Sequence, residues 1–251
     1  MDVLDLTILG PAFVAGLLVL ASHVPLGQEV LKRGIIFIDL AIAQIAGLGV
    51  IAASRLGFET HGWEVQLIAI GSALLGAWGL SLLEKHRPQM QEALIGVSFI
   101  LAATGGILLL ANNPHGGEQL HGLLVGQILW ITWAQLIPLV VMTGLILLLW
   151  FNIGTYRRSM FYLLFAIAIT GSVQLVGVYL VFASLIIPAL GSREYGAGKP
   201  LFVAYCIGAL GYALGLILSS VLDLPSGAVI VWSMGAIALM PRFFIKNRQI
   251  A

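Results

Sequence analysis

Residues 176–199 read VGVYLVFASLIIPALGSREYGAGK. No charge interrupts the apolar run that leads into them from Met160. The run meets Pro188 and breaks into GSREYGAGK, which holds two cations, one carboxylate and three glycines. A new apolar run follows at once. A helix that leaves a bilayer near a proline, turns through a polar elbow and re-enters presents that elbow to whatever lies outside the membrane. The rest of the chain reads as support for the elbow and for a path beside it.

Only 9% of the 251 residues are charged and 60% are hydrophobic, whereas soluble domains carry roughly 25% charged residues. With a mean hydropathy of +1.04, the solvent for this surface is lipid. A net charge of +1 argues against a large nucleic-acid surface. The single cysteine, Cys206, lies inside an apolar run, which excludes an intrachain disulfide framework and a cysteine-based metal centre. The first apolar segment follows Asp2 and Asp5 with no basic stretch before it, so it is expected to be a retained helix. No link is long enough for a soluble domain, and residues 1–251 are expected to form a single transmembrane domain.

Apolar segments fall at 8–31, 35–55, 63–83, 92–112, 134–153, 160–190, 200–221 and 226–244. Most match the roughly 20 residues a spanning helix needs. The segment 160–190 is too long for one crossing and short for two. Gly171 and Gly177 flank a weakly polar GSVQLVG in its middle, which predicts a tight hairpin of two short or tilted helices. Lysine and arginine gather at 32–33, 85–87, 157–158, 193–199 and 242–248. The alternate links carry Asp2, Asp5, Glu59, Glu64, Glu118 and Asp223, with Arg55 as their cation. The positive-inside rule places the first set in the cytoplasm. Arg158 and Arg193 then share a side, which requires 160–190 to cross twice. The expectation is an all-α helical bundle of eight to nine crossings, with the C-terminus inside. Small residues at Gly208, Gly211 and Gly215, and at Ala69, Ala73 and Ala77, suit close helix packing.

Asp39 is the informative polar residue. A carboxylate within a bilayer costs at least about 2.5 kcal/mol, so it needs a partner or a wet cavity. It reads either as a cation-pathway residue or as a carboxylate answering Lys32, Arg33 or a helix N-terminus. Gln44, further along the same helix, either lines that cavity or bonds a neighbouring helix. His115, Glu118 and His121 are spaced three apart in a glycine-rich outer link. Imidazole and carboxylate suit divalent transition metals; the same three residues also read as solvated polar groups. No phosphate-binding loop, zinc-protease helix or serine elbow is present, and Asp39 has no second carboxylate at mid-membrane.

In order along the chain, several stretches resemble the permease subunit of ABC importers for zinc, manganese or iron. VGVYLVFASLIIPALGSR at 176–193 is similar to the family's apolar run ending in IIPA before a basic coupling segment. PLGQEVLKRG at 25–34, ALIG at 93–96, LLVGQILWIT at 123–132 and DLPSG at 223–227 are similar to further family stretches. The chain departs from the pattern in three places. The histidine that follows the family's aspartate in the second helix is replaced by Gln44, the aspartate after its LFG by Gln127, and the stretch before the hairpin is shortened to 155–159.

The resemblance implies a type II importer permease working by alternating access. It implies a second permease subunit, identical or not, two separate ATPase subunits that hold ATP, and a periplasmic or lipoprotein metal-binding protein, all around a bacterial inner membrane. This chain would bind no cofactor of its own and would not be an enzyme. Asp39, Gln44 and Gln127 would line the path of a divalent metal. Ser192, Arg193, Glu194 and Tyr195 would meet the ATPase. Two other classes stand beside this one. One is an ATP-independent transporter or channel, which an inverted repeat would favour; the other is a non-transporting membrane scaffold.

Overall fold

The structure is a computed structural model that describes residues 5–58, 62–86, 88–111, 113–152, 154, 157–193, 195 and 200–246. Within these residues the chain is helical throughout, with no strand. The helices are α1 (Leu6–Arg33), α2 (Ile38–Arg55), α3 (Trp63–His86), α4 (Gln91–Leu110), α5 (Gly116–Val125), α6 (Trp133–Asn152), α7 (Arg157–Val176), α8 (Val178–Gly191), α9 (Pro200–Leu222) and α10 (Ser226–Lys246). Six helical segments among the described residues are long and apolar enough to cross a membrane: α1, α2, α3, α4 with the short turn before it, α6 and α9. Three shorter apolar stretches, Met160–Val176, Val178–Gly191 and Ser226–Met240, accompany them.

Local chemistry sets the ends. Asp5 caps α1 by accepting from the Thr7 backbone N–H at 2.9 Å. Gly34 stops α1 in the left-handed region at φ 70°, its N–H returning to the Val30 carbonyl, the conformation glycine adopts without a Cβ penalty. Four residues, 34–37, then turn the chain into α2.

One end of the bundle is basic. There Arg33 meets Glu29 at 2.9 Å and Glu84 at 3.5 Å, and its guanidinium lies 4.3 Å from the centroid of Phe161. Gln91 donates to the Tyr162 hydroxyl at 2.7 Å, so α1, α3, α4 and α7 are tied together at this end. A buried guanidinium is tolerable only when so paired and stacked. At the far end Arg55 donates to the Leu109 carbonyl at 2.8 Å.

The segment 160–190 forms two helices running in opposite senses. α7 leaves the basic end at Tyr162 and reaches Gln174, which bonds Gln66 near the start of α3. α8 returns, and a Cβ on Gly191 would lie 3.1 Å from Ala238 of α10. The turn is narrower than the sequence predicts. Helix α7 continues through Gly171 to Val176, and the reversal occurs at Gly177 alone. The polar residues of GSVQLVG cause no break because their side-chain oxygens find partners without leaving the helical backbone. Ser172 donates to the Ala168 carbonyl at 2.8 Å, and Gln174 holds Gln66.

Close packing follows the small residues. Gly208 receives Leu20, Gly211 receives Met234 and Gly215 receives Ile230, while Ala69, Ala73 and Ala77 are buried in the contacts of α3. At the centre, the Tyr212 hydroxyl pairs with the Ser184 hydroxyl at 2.8 Å. This gives a buried phenol the partner it needs.

Candidate translocation site

Asp39 stands in the first turn of α2 and is 1% exposed. Its Oδ1 accepts from the Leu40 backbone N–H at 2.7 Å. The helix begins only at Ile38 because 34–37 form the turn. Asp39 therefore sits at the basic end of its helix, where the exposed N–H groups favour a negative charge.

Gln44 lies further along α2. It lines a small internal void with Gly47 of α2, Ala102 and Gly106 of α4, Leu123 of α5 and Val178 of α8. The void measures about 10 Å³, room for about one water. Close by, Gln66 of α3 and Gln174 of α7 share a hydrogen bond. The Nε2 atoms of Gln174 and Gln119 are buried without a partner. Polar side chains inside a membrane bundle mark wet or functional places. Gln66 and Gln174 carried that signal in the sequence, as lone amides within apolar runs.

Beyond α5 lies an open concavity of about 810 Å³ at the far end of the bundle. Glu118, His121, Gln127 and Trp130 line it, with Gly117, Gly122 and Gly126 leaving bare backbone. Helix α5 is the partition: Leu120, Leu123 and Leu124 face the internal void, while Glu118 and His121 face the concavity. Two glycines fix its position. Gly126 at φ 73° and Gly177 at φ 82° meet backbone to backbone, so the end of α5 rests on the turn between α7 and α8.

Asp39, Gln44 and Gln127 are thus not in one cavity. Asp39 lines neither concavity, Gln44 lines the internal void and Gln127 the open mouth. His115 Nδ1 lies 3.3 Å from Glu118 Oε2, both side chains being more than 80% exposed. Among the described residues no three histidine, cysteine or acidic side chains converge as a metal cage.

The elbow is described as far as Arg193, and again at Tyr195; Glu194 and the glycines at 196 and 198 lie outside the described residues. Ser192 is fully buried and closes α8, its hydroxyl donating to the Ala189 carbonyl at 3.1 Å. Arg193 is exposed and Tyr195 half-buried.

A family model described as the ABC 3 transport family matches residues 5–157 and 151–245. The chain belongs to that family. A probable metal transport system membrane protein of Thermotoga maritima is 27% identical, over 92% of this chain and 87% of that protein. The manganese transport system membrane protein MntC of Halalkalibacterium halodurans is 25% identical over 99% of this chain and 91% of its own. The solved structure of PsaBC from Streptococcus pneumoniae in complex with Fab superposes with a TM-score of 0.74 at 21% identity. It covers 93% of this chain and 90% of that one. The superposition spans this bundle almost end to end.

Proposed function

We propose that this chain is the membrane-spanning permease subunit of an ABC importer, with a divalent metal ion, zinc or manganese, as its cargo. The observation that carries the reading is the α5 partition. A polar mouth is closed off from an internal void that holds Gln44, inside a bundle of the ABC 3 transport family. A void of about 10 Å³ cannot pass an ion, so the arrangement is a shut state of an alternating-access path. The metal names of the relatives support the cargo class, as does the resemblance of residues 25–34 and 176–193 to metal permeases.

In this reading the basic end faces the cytoplasm of a bacterial inner membrane, following the positive-inside rule, and the C-terminus is cytoplasmic. A second permease subunit completes the pathway. Two ATPase subunits, which hold the ATP, sit below and engage Arg193, Glu194 and Tyr195, while Ser192 anchors the elbow to α8. A periplasmic or lipid-anchored metal-binding protein delivers the ion to the mouth. Gln127 stands at the entrance, Gln44 at mid-depth and Asp39 at the exit. Amides and one carboxylate make a weak ligand series, which suits a site that must release its ion.

The test is Asp39→Asn in cells without other metal uptake. Asparagine keeps the acceptor for the Leu40 N–H and removes the charge. Metal-limited growth is expected to fail with the protein's abundance unchanged. Normal growth would reduce Asp39 to a carboxylate that serves only the start of α2.

A further inference from the structure

The interior of the bundle and its mouth offer different chemistry. In the wall of the internal void the polar side chain is the amide of Gln44, set among alanine, glycine, leucine, isoleucine and valine. Amide oxygens are poor ligands for first-row transition metals beside imidazole and carboxylate. The mouth carries both of the better donors. Glu118 and His121 are three residues apart on α5 and line the same concavity, as neighbours on one helix face must. His115, just before α5, places Nδ1 at 3.3 Å from Glu118 Oε2. With Nδ1–H donating, that contact holds one carboxylate oxygen and leaves Oε1 for a ligand, the kind of outer contact that orients a metal-binding group.

Room is not limiting. An ion with six waters occupies about 200 Å³, taking roughly 30 Å³ per water, while the concavity holds about 810 Å³. The glycines at 117, 122 and 126 keep side chains out of its floor. Since no three-ligand cage forms among the described residues, an ion here keeps most of its waters. Two protein ligands and a water shell give fast exchange.

Resting on the permease reading above, we infer that Glu118 and His121 form a two-ligand receiving site for a hydrated divalent transition-metal ion at the mouth. The ion stops there before α5 moves. This places an ion-binding step at the entrance, ahead of any movement of α5.

The experiment titrates Mn²⁺ into the full chain in lipid nanodiscs and reads the loss of the free-ion EPR signal. One ion per chain is expected, displaced by Zn²⁺ well below the concentration at which Ca²⁺ displaces it, as imidazole ligation requires. Glu118→Gln and His121→Gln should each weaken binding at least tenfold, and the double variant should abolish it. Both positions are solvent-facing, so the variants fold; size-exclusion profiles matching the parent protein check this. Equal binding by the double variant, displacement by Ca²⁺ as readily as by Zn²⁺, or no Mn²⁺ bound by the unaltered chain overturns the site. Metal-limited growth supported by the unaltered chain is scored in parallel. Growth support with no Mn²⁺ effect at α5 removes the receiving site and keeps the permease. Mn²⁺ binding at α5 without growth support removes the permease reading.

Discussion

Replacing Gly177 with alanine tests the junction on which α5 rests. Gly177 has φ 82° and ψ 160°, a region open essentially to glycine alone, where another residue costs about 1–3 kcal/mol. The new Cβ would also lie 2.7 Å from the Gly126 Cα and 2.5 Å from the Val125 carbonyl carbon. Both are backbone atoms that no rotamer change can move aside, and overpacking of this kind adds about 1–3 kcal/mol. The sum is about 2–6 kcal/mol, which for a chain of this size lowers Tm by about 4–24 °C at roughly 2–4 °C per kcal/mol. The assay heats detergent-solubilised protein and follows the monodisperse fraction by size exclusion. Gly144→Ala is the control, because a Cβ there meets nothing within 4 Å and alanine gains about 0.5–1 kcal/mol within a helix. Gly126→Ala should match Gly177→Ala. The double variant should cost less than the sum, since one displacement relieves both contacts. A Gly177→Ala Tm within a degree of the parent protein would refute the reasoning.

Two further outcomes are expected. Arg193→Ala with Glu194→Ala should reduce co-purification of the ATPase, or its coupled activity, with membrane insertion intact; unchanged complex and coupling would remove the elbow from the interface. Single cysteines at Arg158 and Arg193, introduced after Cys206→Ser, should both resist a membrane-impermeant label applied from outside. Labelling of one and not the other would contradict the orientation assigned to the α7–α8 pair.

The helices were legible because apolar runs of spanning length leave little else for the backbone to do in lipid. The reversal within 160–190 followed from Arg158 and Arg193, since two basic clusters on one side need an even number of crossings between them. Its position was not legible. Gly171 and Gly177 look alike in sequence, and Gly177 is singled out by Gly126, a contact 51 residues away (177 − 126) that no local pattern encodes. Four glycines made residues 116–126 read as an outer link, yet Leu120, Leu123 and Leu124 already carried the helical spacing that buries one face of α5. Asp39 falls inside the apolar segment 35–55 in sequence, whereas the structure starts α2 only at Ile38 and puts Asp39 in its first turn. Glu118 and His121 were visible as chemistry, but only the fold shows which side of α5 they face.

The sunken mouth bears on the membrane potential. Gly177 stands 14 residues above the end of α8 and 17 residues above Met160, about 21–26 Å at 1.5 Å per residue. Hydrocarbon is about 30 Å thick, and Gly126, resting on Gly177, belongs to the floor of the open concavity. In the proposed orientation, with Met160 and Gly191 at the cytoplasmic edge of the hydrocarbon, water and salt reach several ångströms into the bilayer plane, and little voltage falls across them. The whole drop, about 4.6 kcal/mol per 100 mV for a doubly charged ion at 2.3 per charge, is confined to the protein between α5 and the basic end. Capture at Glu118 and His121, as proposed, would then be insensitive to voltage, and with the basic end in the cytoplasm, as proposed, the electrical pull on the ion would begin only after α5 has let it pass.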